Sequence, residues 1–184
     1  GYFAFTRKAA HEARDRAIDR FGVKSKDDFE YFRTLHSLAF RSLGLNRAQV
    51  FGNPSMKAFC KEIGTNFDFD GASIASDDGF AVMQSNNPVM RGFDLARNSL
   101  KKREGVLDFT DMMLELSDNP SKIPSLKVAF LDEAQDLTPL QWKVTHLIAD
   151  KSDRMFVAGD DDQGIYRWAG ADIDHLVSLP GASE

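Results

Sequence analysis

The chain has 184 residues, 42% hydrophobic and 28% charged, a composition that excludes intrinsic disorder and predicts a folded globular protein. Its net charge of −5 is unevenly spread: residues 1–50 carry ten Lys/Arg against six Asp/Glu, and residues 51–184 carry thirteen against twenty-two, so the acidic total does not exclude nucleic acid. A single cysteine, Cys60, excludes an internal disulfide framework, no Cys/His cluster has zinc-ligand spacing, and no apolar run approaches the roughly 20 residues that span a bilayer. A cytoplasmic location without membrane attachment is therefore expected.

In chain order, Tyr2-Phe3-Ala4-Phe5 is an uninterrupted apolar run and reads as a short buried strand. A domain rarely opens on a core strand, so the natural protein is expected to extend upstream. Ala9–Phe21 suits a helix with Ala9, Ala13, Ala17 and Phe21 on one face, closed by Gly22. His36–Leu43 reads as a second helix, stopped by Gly44. Asn53-Pro54, Asn87-Pro88 and Thr138-Pro139 each pair a capping residue with a proline at the first helical position. Between the first two, Asn66–Gly79 is rich in Asp, Ser and Gly and reads as turns. Phe109–Leu116 suits a helix, Val128–Leu131 a strand ending on Asp132, Pro139–Ala149 a helix, and Met155–Ala158 a strand ending on Gly159-Asp160. Strand, helix and strand in this order predict a parallel sheet, which presents ligands at the carboxyl ends of its strands.

Acidic residues stand at those ends. Asp132-Glu133-Ala134-Gln135-Asp136 follows its strand directly. One carboxylate there suits Mg²⁺, which keeps much of its hydration and takes few protein ligands, and the next suits orienting an attacking water. Taken alone, the same pair also suits a solvated strand end. The second segment, Phe156-Val157-Ala158-Gly159-Asp160-Asp161-Asp162-Gln163-Gly164-Ile165-Tyr166-Arg167-Trp168-Ala169-Gly170, joins acids and a glutamine to two aromatics flanking an arginine. Trp168, set between Arg167 and Ala-Gly, reads as an exposed stacking platform, and Trp142, inside a helix, as packing.

Together these segments resemble the UvrD/Rep-like superfamily 1 DNA helicases. Asp132–Asp136 matches the hydrolysis motif of helicases, and Phe156–Asp172 resembles that family's motif III nearly residue for residue. Phe3–Ala10 resembles motif Ia, often written FTNKAA, Thr34-Leu35-His36-Ser37 resembles the THS motif, and Asp108–Asp111 resembles a DFxD segment. The resemblance implies an α/β fold: a partial RecA-like P-loop NTPase parallel sheet, in residues 1–46 and 103–184, with an inserted, mainly helical subdomain at 47–102. It implies ATP and Mg²⁺ as cofactors, Asp132 on the metal, Glu133 on the water and Gln163 on the γ-phosphate. Single-stranded DNA and single/double-strand junctions are the implied partners, met by Phe5, Thr6, Arg7, Thr34, His36, Tyr166, Arg167 and Trp168, with 3′ to 5′ movement.

Two departures stand out. No glycine is followed by lysine anywhere, so the phosphate-binding loop is not in this sequence, and the isolated chain is expected to be inactive in ATP hydrolysis. Ala169 stands where many members carry arginine. A non-hydrolytic single-stranded DNA-binding module and a metal-dependent nuclease using Asp132, Asp160 and Asp162 are the alternatives.

Overall fold

The structure is a computed structural model and describes residues 1–22, 29–64, 88–167 and 170–180. Its centre is a sheet of four parallel strands: β1 (Tyr2–Ala4), β2 (Phe32–Thr34), β3 (Leu126–Asp132) and β4 (Ser152–Val157), in the order β2-β1-β3-β4. Seven helices accompany it among the described residues: α1 (Arg7–Phe21), α2 (Leu35–Ser42), α3 (Asn53–Glu62), α4 (Pro88–Glu104), α5 (Phe109–Asp118), α6 (Pro139–Asp150) and α7 (Ile173–Val177). The α/β class and the parallel sheet agree with expectation. β3 and β4 are longer than their apolar runs, because Leu126 pairs with Ser152 and Val128 with Arg154 in the backbone ladder. β2 was not anticipated: three residues with an arginine in the middle carry little pattern, and parallel pairing to β1 is what defines the strand.

One face of the sheet holds the core. Phe3, Ala129 and Leu131 lie beneath Leu38 and Ala39 of α2, Met112, Met113 and Leu116 of α5, and Trp142, Val144 and Ile148 of α6, all buried. Each large apolar side chain buried here contributes about 1.5–3 kcal/mol. Trp142 is packing as read, 2% exposed, with its indole N–H donating to the Asp172 carbonyl at 3.3 Å. On the opposite face, register places Phe32, Tyr2, Phe130 and Phe156 side by side, one per strand. Tyr2 stacks on Phe32 at 5.5 Å and Phe130 on Phe156 at 5.1 Å. α1 packs against β1 and β2, while Phe130 and Phe156 remain exposed.

α3 and α4, with Phe51 just before α3, carry a separate small core of Phe51, Met56, Phe59, Cys60 and Phe93. It meets the main core through a cluster of buried charges. Lys101 on α4 donates to Asp108 and, at 2.6 Å, to Asp111, and Arg97 lies 3.6 Å from Asp108. Asp108 is also the N-cap of α5 in a capping box with Asp111. Burial alone pushes the Asp108 carboxyl upward, but Lys101, the Asp111 backbone N–H and Arg97 outweigh it and hold it below the usual carboxylate range.

The helix starts follow sequence with one shift. Thr138 and Gln141 form a capping box before α6, with Pro139 in the first turn. α3, by contrast, begins one residue early: Gly52 is its N-cap, and Asn53 is already helical. Asn87 and Asn66–Gly79 lie outside the described residues.

Candidate functional site

β3 delivers Asp132 to the carboxyl edge of the sheet, and the chain then turns sharply. Glu133 is the only non-glycine residue with positive φ among those described, at φ 57°, a left-handed conformation that costs roughly 1–2 kcal/mol. A tight set of bonds holds it there. Its backbone N–H donates to Asp132 Oδ1 at 3.1 Å, Gln135 Nε2 donates to Glu133 Oε2 at 2.7 Å, and Ala134–Asp136 form a 3₁₀ turn. The Ala134 N–H donates to the Ala158 carbonyl at 3.0 Å, continuing the β3–β4 ladder beyond the strands.

The carboxylates of this turn differ in environment. Tyr2 reaches from β1 to donate its hydroxyl to Asp132 Oδ2, and burial followed by that bond pushes the phenol well above its usual range. Asp136 is 9% exposed and its Oδ1 has no hydrogen-bond partner; burial first and the Glu133 charge second push it up to about 6.

Gln135 is 2% exposed and reaches the next segment as well: its Oε1 accepts the Asp160 backbone N–H at 3.1 Å. Close approach of the two segments requires Gly159, where a Cβ would stand 2.8 Å from both Gln135 Oε1 and Leu176 Cδ2. Asp160 caps a 3₁₀ turn, Asp161–Gln163, and also accepts from the exposed Gln163 side chain. Three residues on, Tyr166 packs its ring against Phe5 at 5.6 Å, so the acidic edge is linked to the strand end of β1. Arg167 pairs with Asp174 at 3.1 Å, both exposed, an interaction worth under about 1 kcal/mol. Trp168 and Ala169 lie outside the described residues.

The remaining expected nucleic-acid residues come together. Phe5, Thr6, Arg7, Thr34 and His36 line one open cavity of about 1400 Å³ at the carboxyl ends of β1 and β2. Thr6 caps α1 and the buried Thr34 caps α2, each hydroxyl oxygen accepting a backbone N–H at 3.2 Å, so two helix N-termini open on this groove. Capping uses the hydroxyl oxygen as acceptor and leaves its proton for another partner.

Four arginines that the motifs did not single out, Arg14, Arg33, Arg41 and Arg47, line the same cavity, as do Phe29, Phe40 and Phe109. Glu30 offsets some of this charge, accepting from Arg41 at 2.9 Å. Burial and then the charge of Arg41 lower the proton affinity of the Arg33 guanidinium, whose Nε has no hydrogen-bond partner. The excess of Lys/Arg in the first fifty residues was the sequence signal for this groove.

The profile of the UvrD/REP helicase N-terminal domain matches residues 84–182, more than half of the chain. This chain belongs to that family. As a member of the UvrD/REP helicase N-terminal domain family, it carries both acidic segments within the matched stretch. Relatives align over 95% of it: the ATP-dependent DNA helicase PcrA of Bacillus subtilis at 28% identity, the probable DNA helicase II homolog of Mycoplasma pneumoniae at 26%, and Staphylococcus aureus PcrA at 24%. The chain spans 28–30% of the length of these curated relatives. With this family the four-stranded parallel sheet is part of a RecA-like domain.

Proposed function

We propose that the chain is part of the first motor domain of an ATP-dependent DNA helicase that translocates on DNA and unwinds it, 3′ to 5′, engaging single strands and single/double-strand junctions. The observation that carries this reading is the shared groove: residues from two separate motifs, behind two different strands, line one basic and aromatic cavity whose Phe5 touches Tyr166 of a third. In this reading the exposed Arg7 and the other groove arginines take phosphate oxygens, the capping hydroxyls of Thr6 and Thr34 donate to the backbone, and Phe5, His36, Tyr166 and Trp168 present rings to bases. Residues 47–102 form the inserted subdomain, and its buried Lys101–Asp108 contact fixes it to the motor layer.

The acidic edge suits the nucleotide. Magnesium favours one or two carboxylates and retained water, and the described residues offer the strand-end Asp132 and no three-ligand cluster. When bound, that ion neutralises charge on the terminal phosphates. Asp132 is the residue that would hold it; Glu133 would orient and deprotonate water, and Gln163 would report the γ-phosphate to the segment bearing Tyr166. Since the sequence has no Gly-Lys phosphate loop, the isolated chain is expected to be inactive in ATP hydrolysis, and a non-hydrolytic single-stranded DNA-binding module is the second reading.

Titration of the chain with a fluorescent single-stranded oligonucleotide, at several salt concentrations, tests the groove. Affinity is expected to fall with salt, and the double variant Arg33→Ala/Arg41→Ala is expected to reduce the logarithmic salt slope by about 1–2. Binding that is insensitive to salt, or unchanged in the variant, would remove the groove from the account.

A further inference from the structure

We infer that Gln135 is a positioning residue that ties the water-orienting carboxylate to the DNA-contacting segment. The inference rests on the nucleotide role proposed for Glu133. Gln135 uses both ends of its amide: Nε2 donates to Glu133 Oε2 at 2.7 Å, and Oε1 accepts the Asp160 backbone N–H at 3.1 Å. A buried amide with both ends engaged is fixed in orientation, because rotation would set its N–H against a backbone N–H and its oxygen against a carboxylate.

Three features show that the surroundings are built around this bridge. Glu133 is held left-handed, which sets the direction of its side chain. Gly159 has no Cβ where one would collide with Gln135 Oε1. The Ala134 N–H to Ala158 carbonyl bond pins the two backbones beside the amide at 3.0 Å.

On the far side, the residue whose N–H Gln135 accepts also organises the DNA-facing segment. Asp160 caps the turn that carries Gln163, and Tyr166 follows on the Phe5 ring. A shift of this segment on binding DNA therefore pulls on Gln135 and re-aims Glu133 through a single side chain. Gln135 touches neither phosphate nor base in this scheme; it acts through Glu133, and misplacing a reacting group by about 1 Å can cost on the order of 100-fold.

Gln135→Glu keeps size and the acceptor for the Asp160 N–H but turns the donor toward Glu133 into a second carboxylate. In the complete polypeptide carrying this segment, that variant is expected to lower DNA-stimulated kcat by roughly 10–100-fold. KM for ATP should stay within a few-fold, and the ratio of DNA-stimulated to basal turnover should collapse. Gln135→Leu serves as a second variant, expected to speed hydrogen exchange at the Asp160 amide, which Gln135→Glu should leave protected. Glu133→Gln, run in parallel, separates the two levels of the account. If it abolishes turnover while Gln135→Glu retains normal kcat and normal DNA stimulation, the positioning role is overturned and the hydrolytic reading stands. If Glu133→Gln itself turns over normally, both fall.

Discussion

Asp136 is buried beside Glu133 with one oxygen unpartnered, so its ionised form is the strained one. An unfolded aspartate ionises near 4, whereas burial and the Glu133 charge push this one up to about 6. The native state therefore binds the proton more tightly than the unfolded state. Its contribution to stability is present below pH 4 and is lost as pH rises through 6, amounting to about 3 kcal/mol at most at roughly 1.4 kcal/mol per pKa unit. Urea unfolding between pH 4 and 7 is expected to show this decline, and Asp136→Asn to flatten it; an unchanged slope in the variant would place the titration elsewhere. Nothing in the sequence marks this: Asp136 is the last letter of an acidic motif, and its isolation follows from the fold of the turn. Gln135 is equally hidden, because a glutamine within an acidic motif shows no partner until β4 brings Asp160 alongside.

Helices and strands were legible where chemistry is local. Thr138-Pro139 with Gln141 is a capping box that sequence spacing alone announces, and α6 begins there. Gly22, at φ 62°, closes α1 as its position suggests. Strands are illegible where tertiary pairing decides: β2 has three residues, and β4 includes Asp153 and Arg154 because β3 holds them in register. The join of α4 to α5 also lies at this scale. Lys101 is 5% exposed between Asp108 and Asp111, so removing its charge leaves the buried Asp108 beside a second carboxylate with Arg97, at 3.6 Å, as its remaining cation. Lys101→Met is expected to destabilise the chain by roughly 3 kcal/mol, read from the urea midpoint. Because Asp108 is held low, the pair contributes fully above the ordinary carboxylate range and fades as pH falls below it, opposite in sign to Asp136 and in a lower window. A loss under about 1 kcal/mol in Lys101→Met would mean that the Lys101–Asp108 pair does not hold the join.

At the scale of the molecule, a parallel sheet collects at one edge what the sequence spreads over 160 residues. Motif order and spacing conveyed the class of fold, since strand-end acids and a strand–helix–strand unit have few other arrangements. What they could not convey is that Arg14, Arg33, Arg41 and Arg47 join Phe5, Thr34 and His36 in one groove, because no periodicity relates those positions. The same edge carries a basic groove at β1–β2 and an acidic edge at β3–β4; Phe5 against Tyr166 joins the two, and the Gln135 bridge ties together the two halves of the acidic edge. That division explains how a chain of net charge −5 presents a surface fit for phosphate. The role proposed for Glu133 is hydrolysis driven by DNA bound in that groove. Its most direct test is ATP turnover by the complete polypeptide with saturating single-stranded DNA, wild type against Glu133→Gln, with ATP binding measured alongside. Glu133→Gln is expected to lose roughly 100–10,000-fold in turnover with ATP still bound; turnover within a few-fold of wild type would rule out that role.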